Sequence, residues 1–284
     1  MLGWSPAIPG ELRPDVGAGP AQDAGDDGPQ ADRNPTRFVI DARIAPFSAI
    51  GRLAGVVICT GSLVLDPRIV VTAAHCVVER DGSLTRSTLT FQPGYQPGSD
   101  GGSFTGDVWA VGSLRQYMSQ TAHDAASDWA IIVLDQPPDD IRPLGLQEYG
   151  KNSDGPLEGI LLPSYGKDMS DAQVLTVDLA CSVTEIVWEV LLHDCAASHG
   201  ASGAPLLVRD GFWYAVIGIN SGAIALPVPR HRQTIIRNSA VGSRFFSAAI
   251  HDVHERLRDG LGPGCRYQWS GVHSGVGGVN LRTC

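Results

Sequence analysis

From Arg37 onward, short apolar runs alternate with clusters of turn-forming residues. Runs of this length, rich in Val, Ile and Leu and bounded by Gly, Pro, Asp and Ser, read as β-strands. They cover 54–65, 68–74, 88–91, 108–111, 130–134, 159–162, 175–183, 205–208 and 213–219. Between them lie Gln92-Pro93-Gly94, Gln96-Pro97-Gly98, Ser99-Asp100-Gly101-Gly102 and the acidic stretch 135–140, all turn-rich. Nothing recurs at a fixed period, which argues against a repeat architecture. The pattern changes once. Phe246, Ile250, Val253 and Leu257 fall at helical spacing, with Ser243 a candidate cap. They predict one C-terminal helix whose apolar stripe belongs to the core. The pattern alone therefore gives an all-β chain that ends in a helix.

Both ends break the alternation. Residues 1–36 are rich in Gly and Pro, and Glu11, Asp15, Asp23, Asp26, Asp27 and Asp32 outnumber Arg13 and Arg33. Such a segment buries too little apolar surface to offset its ordering entropy. It reads as a flexible leader or pro-segment. Residues 259–284 form a Gly-rich tail that carries Cys265 and Cys284. The expected folded domain is 37–258.

Composition narrows the partners. A net charge of −9 over 284 residues argues against nucleic acid or an anionic membrane. No apolar stretch approaches the roughly 18 residues of a membrane-spanning helix, so no membrane insertion is expected. The six cysteines form no Cys-x-x-Cys zinc or redox pair, which leaves an even set of disulfides or six buried free thiols. Met1-Leu2-Gly3-Trp4-Ser5-Pro6 shows neither the basic nor the apolar region of a secretory signal.

Three segments carry candidate chemistry: Thr72-Ala73-Ala74-His75-Cys76, Asp128-Trp129-Ala130, and Gly200-Ala201-Ser202-Gly203-Ala204-Pro205. Taken singly, His75 could be an interior histidine, Asp128 a strand cap and 200–205 a turn. Together they supply a base, an orienting acid and a nucleophile. Each also has a telling neighbour: His75 follows the apolar run Ile69-Val70-Val71, Asp128 leads into Ala130-Ile131-Ile132-Val133-Leu134, and Ser202 precedes Leu206-Leu207-Val208. The order His, Asp, Ser is one of several by which serine hydrolases reach the same geometry. On these motifs, residues 37–258 resemble the trypsin-like serine endopeptidases. Arg37-Phe38-Val39-Ile40, Ala45-Pro46-Phe47-Ser48-Ala49-Ile50-Gly51 and Val216-Ile217-Gly218-Ile219 most resemble the bacterial glutamyl-endopeptidase-like branch.

The resemblance implies two packed antiparallel β-barrels of chymotrypsin type, with the C-terminal helix on the second barrel. It implies His75, Asp128 and Ser202 as the catalytic triad, and the amides of Gly200 and Ser202 as the oxyanion hole. It pairs Cys59 with Cys76, Cys181 with Cys195 and Cys265 with Cys284. Asp124 leads into no strand, and His193 lies outside the first barrel, from which the family takes its base. His199 reads as a rim residue, and Ala196, Asn220, Ser221 and Gly222 as the substrate pocket. Ala196 stands where the trypsin branch places its Lys/Arg-selecting acid. Asn220 stands where the glutamyl branch places a His, so strict Glu preference is not implied. Ala201 precedes the nucleophile, so no carboxylate waits there for a newly cut N-terminal amine. Arg33 and Arg37 are candidate cut points for removing the leader.

The chemistry implied needs no cofactor and no metal. A zinc site from His75, His123 and nearby acids lacks any supporting His spacing. Protein or peptide substrates and a secreted or periplasmic location are expected. The alternatives are a protease-fold binding protein without activity and an esterase using the same triad.

Overall fold

The computed structural model describes residues 37–112, 126–228, 233–262, 266–268 and 282–283, apart from 80, 86, 100, 151, 152, 154, 188 and 189. The leader, His123, Asp124, Cys265 and Cys284 lie outside the described residues. Strand β1 (Arg37–Val39) opens the described chain. The first sheet then comprises β2 (Ile50–Ala54), β3 (Ile58–Leu63), β4 (Ile69–Thr72), β5 (Leu89–Pro93), β6 (Phe104–Val111) and β7 (Ala130–Leu134). Its antiparallel order is β6-β5-β2-β3-β4-β7, and β7 pairs back onto β6, closing a six-stranded barrel. The sequence explains the shape locally. β5 alternates buried and half-buried positions, as a strand with one inward face must. Every residue of β4 and β7 is buried, and both read as continuous apolar runs.

The second barrel follows β8 (Gly145–Leu146). It is built from β9 (Leu157–Ser164), β10 (Thr176–Val187), β11 (Val190–His193), β12 (Pro205–Asp210), β13 (Trp213–Val228) and β14 (Gln233–Gly242). The order is β10-β11-β14-β13-β12-β9, closed by the pairing of β9 with β10. β1 adds to its edge at β10, and β8 lies parallel to β13. The expected strands included neither β11, a short run of three apolar residues (Val190-Leu191-Leu192), nor β14, whose apolar residues are interrupted by Arg237 and Asn238. The expected run 54–65 covers β3 but only the last residue of β2, and the two strands separate at Gly55-Val56-Val57.

Helix α1 (Ser247–Arg258) carries the predicted stripe, with Phe246, Ile250 and Val253 buried. Two expectations about it change. It packs against the first barrel, not the second: Phe246 lies against Trp129, with ring centroids 6.4 Å apart, and His254 faces Asp66 in the β3–β4 turn at 3.6 Å. Ser243 does not cap it. The Ser243 hydroxyl instead donates to the Gln147 carbonyl at 2.6 Å and accepts from the Tyr149 amide at 2.9 Å. The chain is thereby held to the inter-barrel linker just before it crosses back. Two short strands, β15 (Arg266–Gln268) and β16 (Arg282–Thr283), extend the first sheet from β6.

Candidate active site

His75 sits in the first barrel, in a 3-10 turn (Ala74–Cys76) that ends β4. Strands β4 and β7 are antiparallel neighbours with Thr72 opposite Ala130, so the residues just beyond this pair meet. Asp128 uses both carboxylate oxygens on His75. One accepts the backbone N–H at 2.9 Å, and the other lies 2.8 Å from Nδ1. The Cys59–Cys76 disulfide ties the same turn to β3. Burial works against charge on both groups. The Asp128 carboxylate outweighs it and raises the imidazole above its ordinary pKa. His75, its amide and the Ser221 hydroxyl in turn hold Asp128 below the usual carboxylate range.

Ser221 is a finding that sequence reasoning assigned elsewhere. Its hydroxyl donates to Asp128 Oδ2 at 2.6 Å, from the second barrel to the first. The register between β13 and β14 shifts between Asn220 and Gly222, so Ser221 is the extra residue of a β-bulge. Bulges re-aim side chains in this way. Asn220 also departs from expectation. It is buried, its Nδ2 donates to the Ala201 carbonyl at 3.0 Å, and its Oδ1 accepts from His193 Nε2 at 3.0 Å. Neither side chain is left to line a pocket. Burial pushes the pKa of His193 down to about 4, so near neutrality it is an uncharged strut and not a second base.

The loop that presents Ser202 is held at nearly every residue. Cys195 is bonded to Cys181, and its carbonyl accepts from Asn238. The Ala196 amide donates to the buried carboxylate of Asp178 at 2.9 Å. The His199 carbonyl accepts the Lys167 amide at 2.7 Å. The Gly200 carbonyl accepts the Thr60 hydroxyl at 2.8 Å, and the Ser202 carbonyl accepts the Thr60 amide at 2.9 Å. Gly200 has φ +93°, and a Cβ there would stand 2.4 Å from the Tyr165 carbonyl oxygen, so only glycine fits. Among the described residues, the amides of Gly200 and Ser202 have no hydrogen-bond acceptor. They are two adjacent donors awaiting one.

Gly203 brings the halves together. A Cβ on it would lie 2.2 Å from the Thr72 hydroxyl and 2.8 Å from the Ala73 amide. Ser202 is therefore one residue from a close backbone approach to the segment that carries His75. His199 is exposed, and Gly222 faces open space with nothing within 4 Å of where a Cβ would lie. Thr60 was missed by sequence reasoning. It is fully buried and joins β3 to Gly200, Ser202 and Tyr165. The only signal was its place beside Cys59. Metal binding finds weak material here. Cys59, Cys76 and His75 cluster, as do Cys181, Cys195 and Asp194, but in both groups the sulfurs are bonded to each other.

A family model described as Trypsin matches residues 41–237. No curated protein matches the sequence. Among solved structures, the chain is similar to a Glu endopeptidase in complex with MPD. The identity is 17% and the TM-score 0.62, over 80% of this chain and all of that one. It is also similar to a thermostable serine protease, AL20, from an extremophilic microorganism. There the identity is 18% and the TM-score 0.51, over 72% of this chain and 94% of that one. At these identities the likeness carries the fold, and the family model carries the membership.

Proposed function

The chain belongs to the trypsin family and is a serine-type peptidase, and on that premise we propose that it cuts peptide bonds through Ser202, His75 and Asp128 by way of an acyl-enzyme. Ser202 Oγ attacks the scissile carbonyl while His75 Nε2 takes its proton. Asp128 holds Nδ1–H and stabilises the imidazolium that forms. The amides of Gly200 and Ser202 donate to the oxyanion, where one such donor is worth about 3 kcal/mol. His75 returns the proton to the leaving amine, and water then releases the acyl group by the same steps. The observation that carries the reading is the two-point grip of Asp128 on His75, at 2.9 and 2.8 Å. It fixes the ring with Nδ1 on Asp128, so Nε2 is the nitrogen assigned to proton transfer.

The pocket reading follows the same groups. A Lys or Arg side chain buried in a primary pocket needs a paired anion. Ala196 supplies none, and the carboxylate that reaches it, Asp178, is fully buried and bonded to its amide. Cleavage after uncharged side chains is the expectation. A secreted or periplasmic location suits the two disulfides, and among the described residues no helix is long and apolar enough to cross a membrane.

The test is a peptide-library profile of the protein beside its Ser202→Ala variant, with a small ester as a second substrate. The variant should lose roughly 10⁶-fold in kcat, and adding His75→Ala should cost little more, because the triad acts as a unit. Ester turnover without peptide turnover would move the assignment to an esterase. Peptide turnover by Ser202→Ala would remove Ser202 from it.

A further inference from the structure

Most of the contacts that hold the loop 195–201 come from neighbouring barrel strands and their connections. One leads instead to the start of the domain. The Ser198 hydroxyl donates to Asp168 Oδ1 at 2.5 Å. Asp168 in turn receives the Arg37 guanidinium as a fork, Nη1 to Oδ2 at 2.5 Å and Nη2 to Oδ1 at 3.1 Å. Arg37 also donates from Nε and Nη2 to the Thr176 hydroxyl, at 3.0 and 2.9 Å. Its side chain is only 9% exposed, whereas Asp168 is 43% exposed. The buried partner is thus the planar, fork-shaped one suited to bidentate pairing. Burial raises the Asp168 carboxyl, but Arg37 and Ser198 together carry it below its ordinary pKa.

Two further features make this more than a surface ion pair. The three groups converge on Gly166, where a Cβ would meet Arg37 Nη2, Ser198 Oγ and Asp168 Oδ1 at 2.6, 2.6 and 2.7 Å. The loop carrying Asp168 also holds three successive side-chain-bearing residues in the left-handed region: Ser170 (φ 59°), Asp171 (φ 52°) and Ala172 (φ 60°). That conformation is unfavourable for each of them, and it persists only when surrounding contacts determine it. The same loop touches the nucleophile loop again, through the Lys167 amide to the His199 carbonyl.

We propose that Arg37 is a positioning residue for the oxyanion loop, acting through Asp168 and Ser198. The residue before Ser202 is Ala201, so the ordering charge is not next to the nucleophile. It is delivered by a side chain of β1, four residues upstream of Ser202 along the loop, at Ser198. This reverses the reading of Arg37 as a cut point. Cleavage after Arg37 would carry away the guanidinium and leave Asp168 unpaired, whereas cleavage before it would keep the latch. Maturation that preserves activity must leave Arg37 on the chain. The inference rests on Ser202 as nucleophile and Gly200 as oxyanion donor.

The experiment compares the full chain with Arg37→Met, Arg37→Lys, Ser198→Ala and the Arg37→Met/Ser198→Ala double variant. It reads kcat and KM on one peptide, and amide hydrogen exchange across 196–202. Arg37→Met should lose roughly 100-fold in kcat, the scale of one oxyanion donor, with KM within about threefold. Arg37→Lys should recover part of that loss, since a point charge replaces the fork. Ser198→Ala removes one oxygen and should cost roughly tenfold. The double variant should fall no lower than Arg37→Met alone, because both act through Asp168. Loop exchange should quicken in each case. Unchanged exchange and unchanged kcat in Arg37→Met and Ser198→Ala would overturn the latch, as would losses that multiply. If Arg37→Met fails to fold, Ser198→Ala decides by the same readouts. A wild-type chain without Ser202-dependent turnover would overturn the assignment of Ser202 instead, and loop exchange would still decide the latch.

Discussion

The two barrels contribute to the site by different physics. The first supplies groups that change charge. His75 and Asp128 shift each other's pKa in opposite directions across a 2.8 Å contact. The second supplies geometry. Its nucleophile loop is positioned by hydrogen bonds from Asn238, Asn220 and the Lys167 amide, aided by a left-handed glycine. Charge falls away with distance and is tuned by burial, so it suits proton transfer. Hydrogen bonds to fixed partners, neutral or charged, are short and directional, so they suit aiming two amides at one point. The difference teaches that the halves should fail differently: damage to the first changes a pH profile, and damage to the second changes a rate without moving that profile.

The largest effect expected from this contrast is in the first barrel. Asp128→Asn should lower kcat by roughly 10⁴-fold at neutral pH, since the amide favours the wrong imidazole tautomer. The sign of the pH effect follows from the pair. Catalysis needs neutral His75, and the Asp128 charge raises its pKa, so the wild-type acid limb of kcat/KM should have its midpoint above about 6.5. Removing that charge should move the limb to lower pH. A pH–rate profile of the residual activity checks both the drop and the direction.

Next comes the joint between the barrels. Thr60→Val keeps the shape but leaves the Gly200 carbonyl without its donor and the Tyr165 amide without its acceptor, both buried. Unfolding free energy should fall by about 2 kcal/mol in a denaturant titration. kcat should fall roughly tenfold with the pH limb unmoved. A shifted limb would mean that Thr60 belongs to the charged half.

The smallest effect sharpens the boundary. Ser221→Ala removes one of the hydrogen bonds on Asp128 and leaves both contacts with His75. kcat should drop by about fivefold to tenfold, in line with a single hydrogen bond, and KM should hold. A change in KM alone would return Ser221 to the substrate pocket.

The three residues proposed as the triad stand out in the sequence because each motif is local. His75 lies one turn past an apolar strand, Asp128 just before another, and Ser202 between glycines. The strands of the first barrel were legible for the same reason: β4 and β7 are unbroken apolar runs. What stayed hidden joins distant parts of the chain. Thr60 reaches Gly200 across 140 residues, Arg37 reaches Asp168 across 131, and Ser221 reaches Asp128 across 93. No periodicity reports such pairs. Asn220 and Ser221 were expected to line a pocket because their residue types suit one; their side chains bond Ala201, His193 and Asp128, and a one-residue bulge in β13 decides where Ser221 points. The helix stripe was correct, but which barrel it covers depends on Ser243 holding the linker, a contact 96 residues long.

The claim that the two halves meet as one reacting unit is tested most directly by labelling with an organophosphonate probe, which reacts only with an activated serine, followed by peptide mapping. The account predicts a single adduct on Ser202 in the wild-type protein. His75→Ala should abolish the adduct, and Thr60→Val should slow its formation. An adduct on another serine, or peptide cleavage by a protein that takes no label, would contradict it.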